Sequence, residues 1–325
     1  MYREKRHRWL ILVPVLFALT LGLTPVSSKK RKEKNQLPKG TPVLWHRPSD
    51  ISSRDLFWGP GGKAMQPDLA RVTFIEEEKG GYSKKYRVRD ASGREWVAKI
   101  GKEAQSETAA VRLLWAAGYE TEINYLVPRV EIMGKGTFTN VRFEARPQNV
   151  KRAVAWKWSK NPFVGTRELQ GLKVLMVLLN NWDIKDSNNK VLVQRNGTGG
   201  ELRYIISDLG ATFGHASGTP IFWRFTRSRN NPVKYAKSNF VEGVKDNYVR
   251  FHYGGKRSGL FKDITVEDAR WIGSWLALLN NQQLKDVFRA ANYTPGQIDL
   301  LANTVRERTN ELVHLPVNDR IGRRR

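Results

Sequence analysis

The segment NNWDIKDSNNKVLV, Asn180–Val193, sets two aspartates, two lysines and four asparagines between two apolar stretches. Upstream, TRELQGLKVLMVLLNNW carries a dense apolar stripe that predicts a helix ending at the segment; downstream, KVLVQRNGTGGELRYIISDLG predicts a hairpin whose turn is RNGTGG. Three readings compete: a polar surface turn, a calcium loop and a catalytic loop. The turn is supported by the frequency of Asp and Asn in turns. The calcium loop is disfavoured, because counting from Asp186 puts Lys190 on a ligand position and Val191 where the loop needs glycine. The catalytic reading depends on what surrounds the segment.

From Arg71 the chain runs RVTFIEEE, SKKYRVRD and REWVAKI, separated by GG and ASG. Val, Ile, Tyr and Phe alternating with charges predict half-exposed antiparallel strands in a meander. A helix is predicted over Ala104–Gly118, with Glu107, Ala110, Val111 and Leu114 at i, i+3, i+4 and i+7 and Gly118 as its C-cap. An acid on the apolar face of a helix needs a cation. Lys99, in the strand VAKI eight residues earlier, is the natural partner of Glu107; by itself it would read as a snorkelling surface lysine. Glu103 is the alternative acid, placed before the regular helix. Two further strands, YLVPRVEIMG and TFTNVRFEARP, flank a Gly-Lys-Gly turn, and Pro147 marks a lobe boundary. The segment 211–264 is aromatic, Gly-rich and irregular, and three closing helices follow, two of them with Thr265 and Thr294 as N-caps.

The order of strands, Lys99, helix with Glu107, two strands, helices, DIKDSN, hairpin and SDLG resembles the protein-kinase-like fold over roughly residues 70–310. The resemblance implies an α+β, bilobal architecture with an antiparallel-sheet small lobe and a mostly helical large lobe. It also implies roles. Lys99 would reach the α- and β-phosphates of ATP and pair with Glu107; Asp183 would orient or deprotonate the acceptor hydroxyl, and Lys185 would steady the moving phosphoryl group. Asn188 and Asp208 would hold Mg²⁺ or Mn²⁺, and Gly80 and Gly81 would cover the phosphates. Each motif has a plainer reading as a turn or a hairpin, and the common order is what joins them. Departures are specific. Asn181-Trp182 stands where kinases carry His-Arg, the glycine loop is short, and ATFGHASGTPIFWRFTRSRNN has no Ala-Pro-Glu. The likeness is therefore to atypical branches, such as HipA-type, lipid and secretory-pathway kinases. Arg224, Arg227, Arg229 and Lys234 suit an acidic acceptor or form a solvated basic loop.

The formal charge of +25 over 325 residues comes with basic clusters at Arg3–Arg8, Lys29–Lys34 and Arg320–Arg325. These fit solvated tails, an anionic membrane surface or another polyanion; no zinc-finger spacing or RNA-recognition signature supports nucleic acid. Residues 3–8 precede an apolar run, 9–23, and then TPVSS, the pattern of a secretory signal. The run is shorter than the ~20 residues that span a bilayer comfortably. The absence of Cys excludes disulfides, thiolate zinc sites and cysteine nucleophiles, and the five histidines show no metal spacing. The Trp residues, Trp156, Trp158, Trp271 and Trp275 among them, are expected in the core.

The expected organisation is a signal peptide or uncleaved anchor at 1–28, a basic linker and irregular lead-in at 29–66, the small lobe at 67–147, the large lobe at 148–318 and a basic tail at 319–325. The expected function is an exported kinase, periplasmic, secreted or membrane-anchored, that phosphorylates an unidentified hydroxyl acceptor on protein, lipid or glycan. The rivals are a pseudokinase that binds nucleotide or a partner in the cell envelope, and a basic polyanion-binding envelope protein.

Overall fold

Alternation along three neighbouring strands decides where the first core lies. A computed structural model describes residues 37–80, 83–194, 200–215 and 227–316; the signal-like segment, most of the basic linker, Gly81, Arg224 and the basic tail lie outside them. Strands β2 (Thr73–Glu77), β3 (Lys84–Arg89), β4 (Glu95–Ile100), β5 (Asn124–Ile132) and β6 (Gly136–Ala145) follow a short β1 (Thr41–Val43). They form an antiparallel sheet in the order β2-β3-β4-β6-β5. Tyr86 and Val88, Trp96 and Ala98, and Val141 and Phe143 occupy alternate positions and share one apolar core, with Trp58 and Met65 packed against it. On the opposite parity stand Val97 and Lys99, paired with Glu144 and Arg142.

The expectation of half-exposed strands suits β2 and β3 but not β4, whose Trp96, Val97, Ala98 and Lys99 are all buried. Its charged residue faces other charges, which a pattern of alternating polarity cannot distinguish from water. Helix α1 (Glu103–Ala116) begins one residue earlier than expected and includes Glu103. It stops at Gly118, whose φ of +94° is open to glycine. The amides of Gly118 and Tyr119 reach back to Trp115 O (2.9 Å) and Leu114 O (3.0 Å), closing the helix end.

The chain leaves the first sheet at Ala145 and enters a second at β7 (Val150–Arg152), either side of Pro147. With β8 (Asn189–Gln194) and β9 (Glu201–Ile206), the second sheet has the order β1-β9-β8-β7. Its β1–β9 pairing is parallel and places residues 41–43 within the larger lobe. This corrects the lead-in: Leu44, Ile51 and Leu56 are buried in the same core as the large-lobe helices, because these apolar residues are spaced too irregularly to show a period.

Helix α2 (Arg167–Leu178) is capped by Thr166, whose side chain accepts from Leu169 N. Helices α4 (Val266–Ala277), α5 (Asn281–Arg289) and α6 (Pro295–Val313) close the lobe, with capping boxes at Thr265, Asn280 and Thr294. Between them lie a short α3 (Pro232–Ala236) and a hairpin, β10 (Val241–Lys245) and β11 (Tyr248–Phe251), so the segment expected to be irregular is partly ordered. Trp156 and Trp158 are buried. Trp271 and Trp275 are half-buried against Trp45, with ring centroids 5.2 and 5.8 Å away. This two-lobed α+β body is the arrangement implied by the resemblance to the protein-kinase-like fold.

Asp90 ties the sheet lobe together. It accepts from Ser92 Oγ (2.7 Å), Arg94 N (2.9 Å), Trp96 Nε1 (2.9 Å) and Asp68 N (3.2 Å). Burial pushes its carboxyl up, but the bonds from Ser92 and Trp96 outweigh this and hold it below the usual carboxylate range. Asp90→Ala is expected to lower stability by about 2–4 kcal/mol, since it strands several donors. The loss should be largest near neutral pH. It should shrink below about pH 4, where the wild-type carboxylate takes up its proton and loses the same contribution. Denaturant unfolding of both proteins between pH 3 and 7 measures this.

Candidate active site

The two asparagines that open NNWDIKDSNN end a helix. Asn180 has φ +51°, a conformation Asn tolerates better than most residues. Its amide and that of Asn181 bond Val177 O (2.8 Å) and Met176 O (2.9 Å), the closing pattern also seen at Gly118. Asn180 Nδ2 then donates to Gly214 O (2.9 Å) and Ser238 Oγ (2.8 Å), while the buried Arg308 of α6 bonds Leu178 O (2.6 Å). The loop therefore leaves a helix end anchored on several sides.

Inside the loop Asn188 is structural as well as polar. Its Nδ2 donates to Asp183 O (2.7 Å), and its carbonyl accepts from Ser207 N (2.7 Å), which ties the loop to the strand end that carries Asp208. Asp186 accepts from Trp158 N (3.2 Å) and the buried Asn189 donates to Trp156 O (3.0 Å), so both shape the turn. Where kinases carry His-Arg, Asn181 is buried. Trp182 donates to Ser228 O (3.0 Å) and lies under the guanidinium groups of Arg227 and Arg229, 5.2 and 4.9 Å from its ring centroid.

Lys99 stands at the centre of the charges. Its Nζ lies 2.8 Å from Glu107 Oε2, 2.8 Å from Glu103 Oε2 and 3.5 Å from Asp208 Oδ1. Burial lowers the affinity of this ammonium for its proton, but Glu107 and Asp208 more than reverse that, so Lys99 is held protonated. Both acids weighed for Lys99 thus reach it. Glu103 also accepts from Ser83 Oγ (2.7 Å) and pairs with Arg229, linking the β2–β3 hairpin to the segment after Asp208. Gly210 is required by closeness: a Cβ there would meet Glu103 at 2.7 Å.

Asp208 has a half-exposed side chain and accepts from Gly210 N (3.2 Å). Burial raises its carboxyl, and Lys99 and the Gly210 amide pull it down further, leaving it below the ordinary range. Lys99, Glu107, Asn188 and Asp208 line one cavity of about 250 Å³. A neighbouring cavity of about 750 Å³ shares Glu78, Arg146 and Arg152 in its wall. Gly80, with φ +105°, lies in the hairpin turn and does not line either cavity; Gly81 lies outside the described residues.

Asp183 and Lys185 do not line either cavity; they pair with each other, Nζ to Oδ2, at 2.7 Å, and Asp183 is tied to the smaller cavity's wall through Asn188. Sequence reasoning missed three charged residues here. Arg142 is buried against Glu107 and Glu144 against Arg142, and their alternation in NVRFEA puts them on the parity of Lys99 once β4 and β6 are paired. Lys256, 2.6 Å from Asp183 Oδ1, left no signal because it comes from an irregular segment far along the chain. Among the described residues no group of three or more His, Cys, Asp or Glu side chains is arranged to hold a metal by itself. No helix of the described residues is long and apolar enough to cross a membrane.

No protein-family model and no curated protein matches the chain. Among solved structures it is similar to the crystal structure of the Helicobacter pylori proinflammatory kinase CtkA, at 11% sequence identity and a TM-score of 0.46, over 76% of this chain and 95% of that one.

Removing Glu107 leaves two buried cations facing each other, Lys99 at 2.8 Å and Arg142 at 3.1 Å from its carboxylate oxygens. Glu107→Ala is expected to cost about 3–5 kcal/mol in denaturant unfolding. A loss under about 1 kcal/mol would mean that Glu103 and Glu144 neutralise the pair without it.

Proposed function

We propose that the protein is an atypical kinase that moves the γ-phosphoryl group of ATP to a hydroxyl acceptor. One observation carries this reading: the buried Lys99–Glu107 ion pair opens onto the same cavity as Asp208 and Asn188, and Asn188 in turn bonds the backbone of Asp183. Phosphoryl transfer needs positioning and charge neutralisation rather than covalent chemistry, and this set supplies both. Lys99, fixed by Glu107, would bind phosphate oxygens. Asp183 would accept a hydrogen bond from the acceptor hydroxyl, and Lys185 would neutralise the moving group. The cavity of about 250 Å³ suits phosphates, and the adjoining one of about 750 Å³ is large enough for a nucleoside.

Asp208 and Asn188 fit Mg²⁺ or Mn²⁺: both offer hard oxygen donors to one cavity, and one or two protein ligands are enough where phosphates supply the rest. When bound, the ion neutralises charge on the phosphate oxygens. Export is proposed from the apolar run at 9–23 alone.

One observation favours a second reading, a nucleotide-binding module without turnover: both carboxylate oxygens of Asp183 are taken by lysines. The full chain, assayed with ATP and Mg²⁺ or Mn²⁺, decides. Consumption of ATP is expected, with Asp208→Ala slower by about a hundredfold or more; unchanged activity in that variant would remove Asp208 from the mechanism. Binding without consumption would support the module, and no binding at millimolar ATP would favour a polyanion-binding protein.

The pH profile adds a test. Burial raises the Asp183 carboxyl, but hydrogen bonds from Lys185 and Lys256 bring it below the ordinary range. Asp183 and Asp208 therefore stay ionised as the pH falls to about 4, and the acid limb of the rate profile is expected below that value. A limb centred near pH 6 would assign the titration to another group.

A further inference from the structure

An acceptor hydroxyl can give its proton to Asp183 only through a carboxylate oxygen, and both oxygens are engaged. Lys185 Nζ lies 2.7 Å from Oδ2, and Lys256 Nζ lies 2.6 Å from Oδ1. Lys185 has work to do on the moving phosphoryl group. Lys256 has no part in that transfer, yet it is delivered by a turn built onto the loop. Tyr253 Oη donates to Asn181 O (2.7 Å), and Lys256 N donates to Trp182 O (3.1 Å). Arg257 pairs with Asp186, Nη2 to Oδ2, at 2.8 Å, and holds φ +56° to do so. Left-handed backbone at a bulky residue costs energy that its contacts must offset.

The corner is rich in positive charge. Lys185, Lys256, Arg257 and Arg227, the last stacked on Trp182, face two carboxylates, Asp183 and Asp186. The Lys256 side chain is 36% exposed, so it can turn toward an incoming molecule. A neutral alcohol reaching Oδ1 would compete with this ammonium for the oxygen and offer it only a neutral hydroxyl oxygen in return. An acceptor with its own anion, a few bonds from the hydroxyl, would give Lys256 a new partner as it frees the base.

Resting on the kinase reading, we infer that the acceptor is an anionic alcohol whose phosphate or carboxylate group draws Lys256 away from Asp183. The acceptor oxygen then forms a bond to the γ-phosphorus as the bond from that phosphorus to the β–γ bridging oxygen breaks. The hydroxyl proton passes to Asp183 Oδ1, and ADP leaves with the bridging oxygen. Lys256 thus acts as a specificity residue that favours anionic acceptors at the base over neutral alcohols and water.

The test uses the full chain as wild type, Lys256→Met and Lys256→Arg, with glycerol 3-phosphate, glycerate and glycerol as probes. Calorimetric titration is expected to show at least one anionic probe binding wild type about tenfold or more tighter than glycerol. Lys256→Met should lose that preference and Lys256→Arg should keep most of it. Whether phosphate or carboxylate is recognised follows from which anionic probe binds. With ATP present, Lys256→Met is expected to consume it several-fold faster with glycerol or water than wild type does. Equal binding of all three probes by wild type, or an undiminished preference in Lys256→Met, overturns the inference while ATP consumption still upholds the kinase reading. Anion binding through Lys256 with no transfer from ATP to any probe overturns the kinase reading, and the acceptor role with it.

Discussion

The pairing of β4 with β6 sets Lys99 directly opposite Arg142, two cations on adjacent strands and both buried. Like charges so placed destabilise a sheet, and without water they do so strongly. Glu107 resolves the conflict by reaching between them from α1, one oxygen toward each and Oε1 also within 3.5 Å of Leu209 N. One carboxylate thus links α1, the paired strands β4 and β6 and the chain beyond Asp208, with Glu103 on Lys99 and Glu144 on Arg142 as further partners. Burial pushes that carboxyl up against the pull of Arg142 and Lys99, which makes its ionised form depend on both cations staying in place.

The network extends along β6. Glu144 pairs with Arg142 and Arg146, and Arg152 of β7 meets Glu144 and Glu122. Alternating signs let the wall between the two cavities remain charged without any ion facing an apolar core. Buried ion pairs of this kind are weak sources of stability but strongly geometric, because each partner is costly to strand. They hold Lys99 at a fixed place in the wall of the smaller cavity.

The loop at 180–189 is held by different means. A left-handed asparagine stops α2, side-chain amides tie the turn to its neighbours, and the 253–257 turn grips it from outside. Asp183 is consequently fixed by backbone, while its own oxygens pair with two partly exposed lysines. Placement of the carboxylate by the backbone is thus combined with two ion-pair partners on partly exposed side chains.

By itself the sequence determined the elements and their order: the meander, the helix carrying Glu107, the helix before DIKDSN, the hairpin and the capped closing helices. These are legible because apolar period, cap and turn chemistry are local. It also pointed to Lys99 with Glu107, since an acid on an apolar stripe demands a cation. Only the tertiary structure decided that Glu103 joins them, that Arg142 makes Glu107 a bridge, that β4 is buried on both faces, and that residues 41–43 add a strand to the larger lobe. Lys256 on Asp183 belongs to the same class. Each of these depends on strand register or on contact between segments distant in sequence, where side-chain charge is visible but its partner is not.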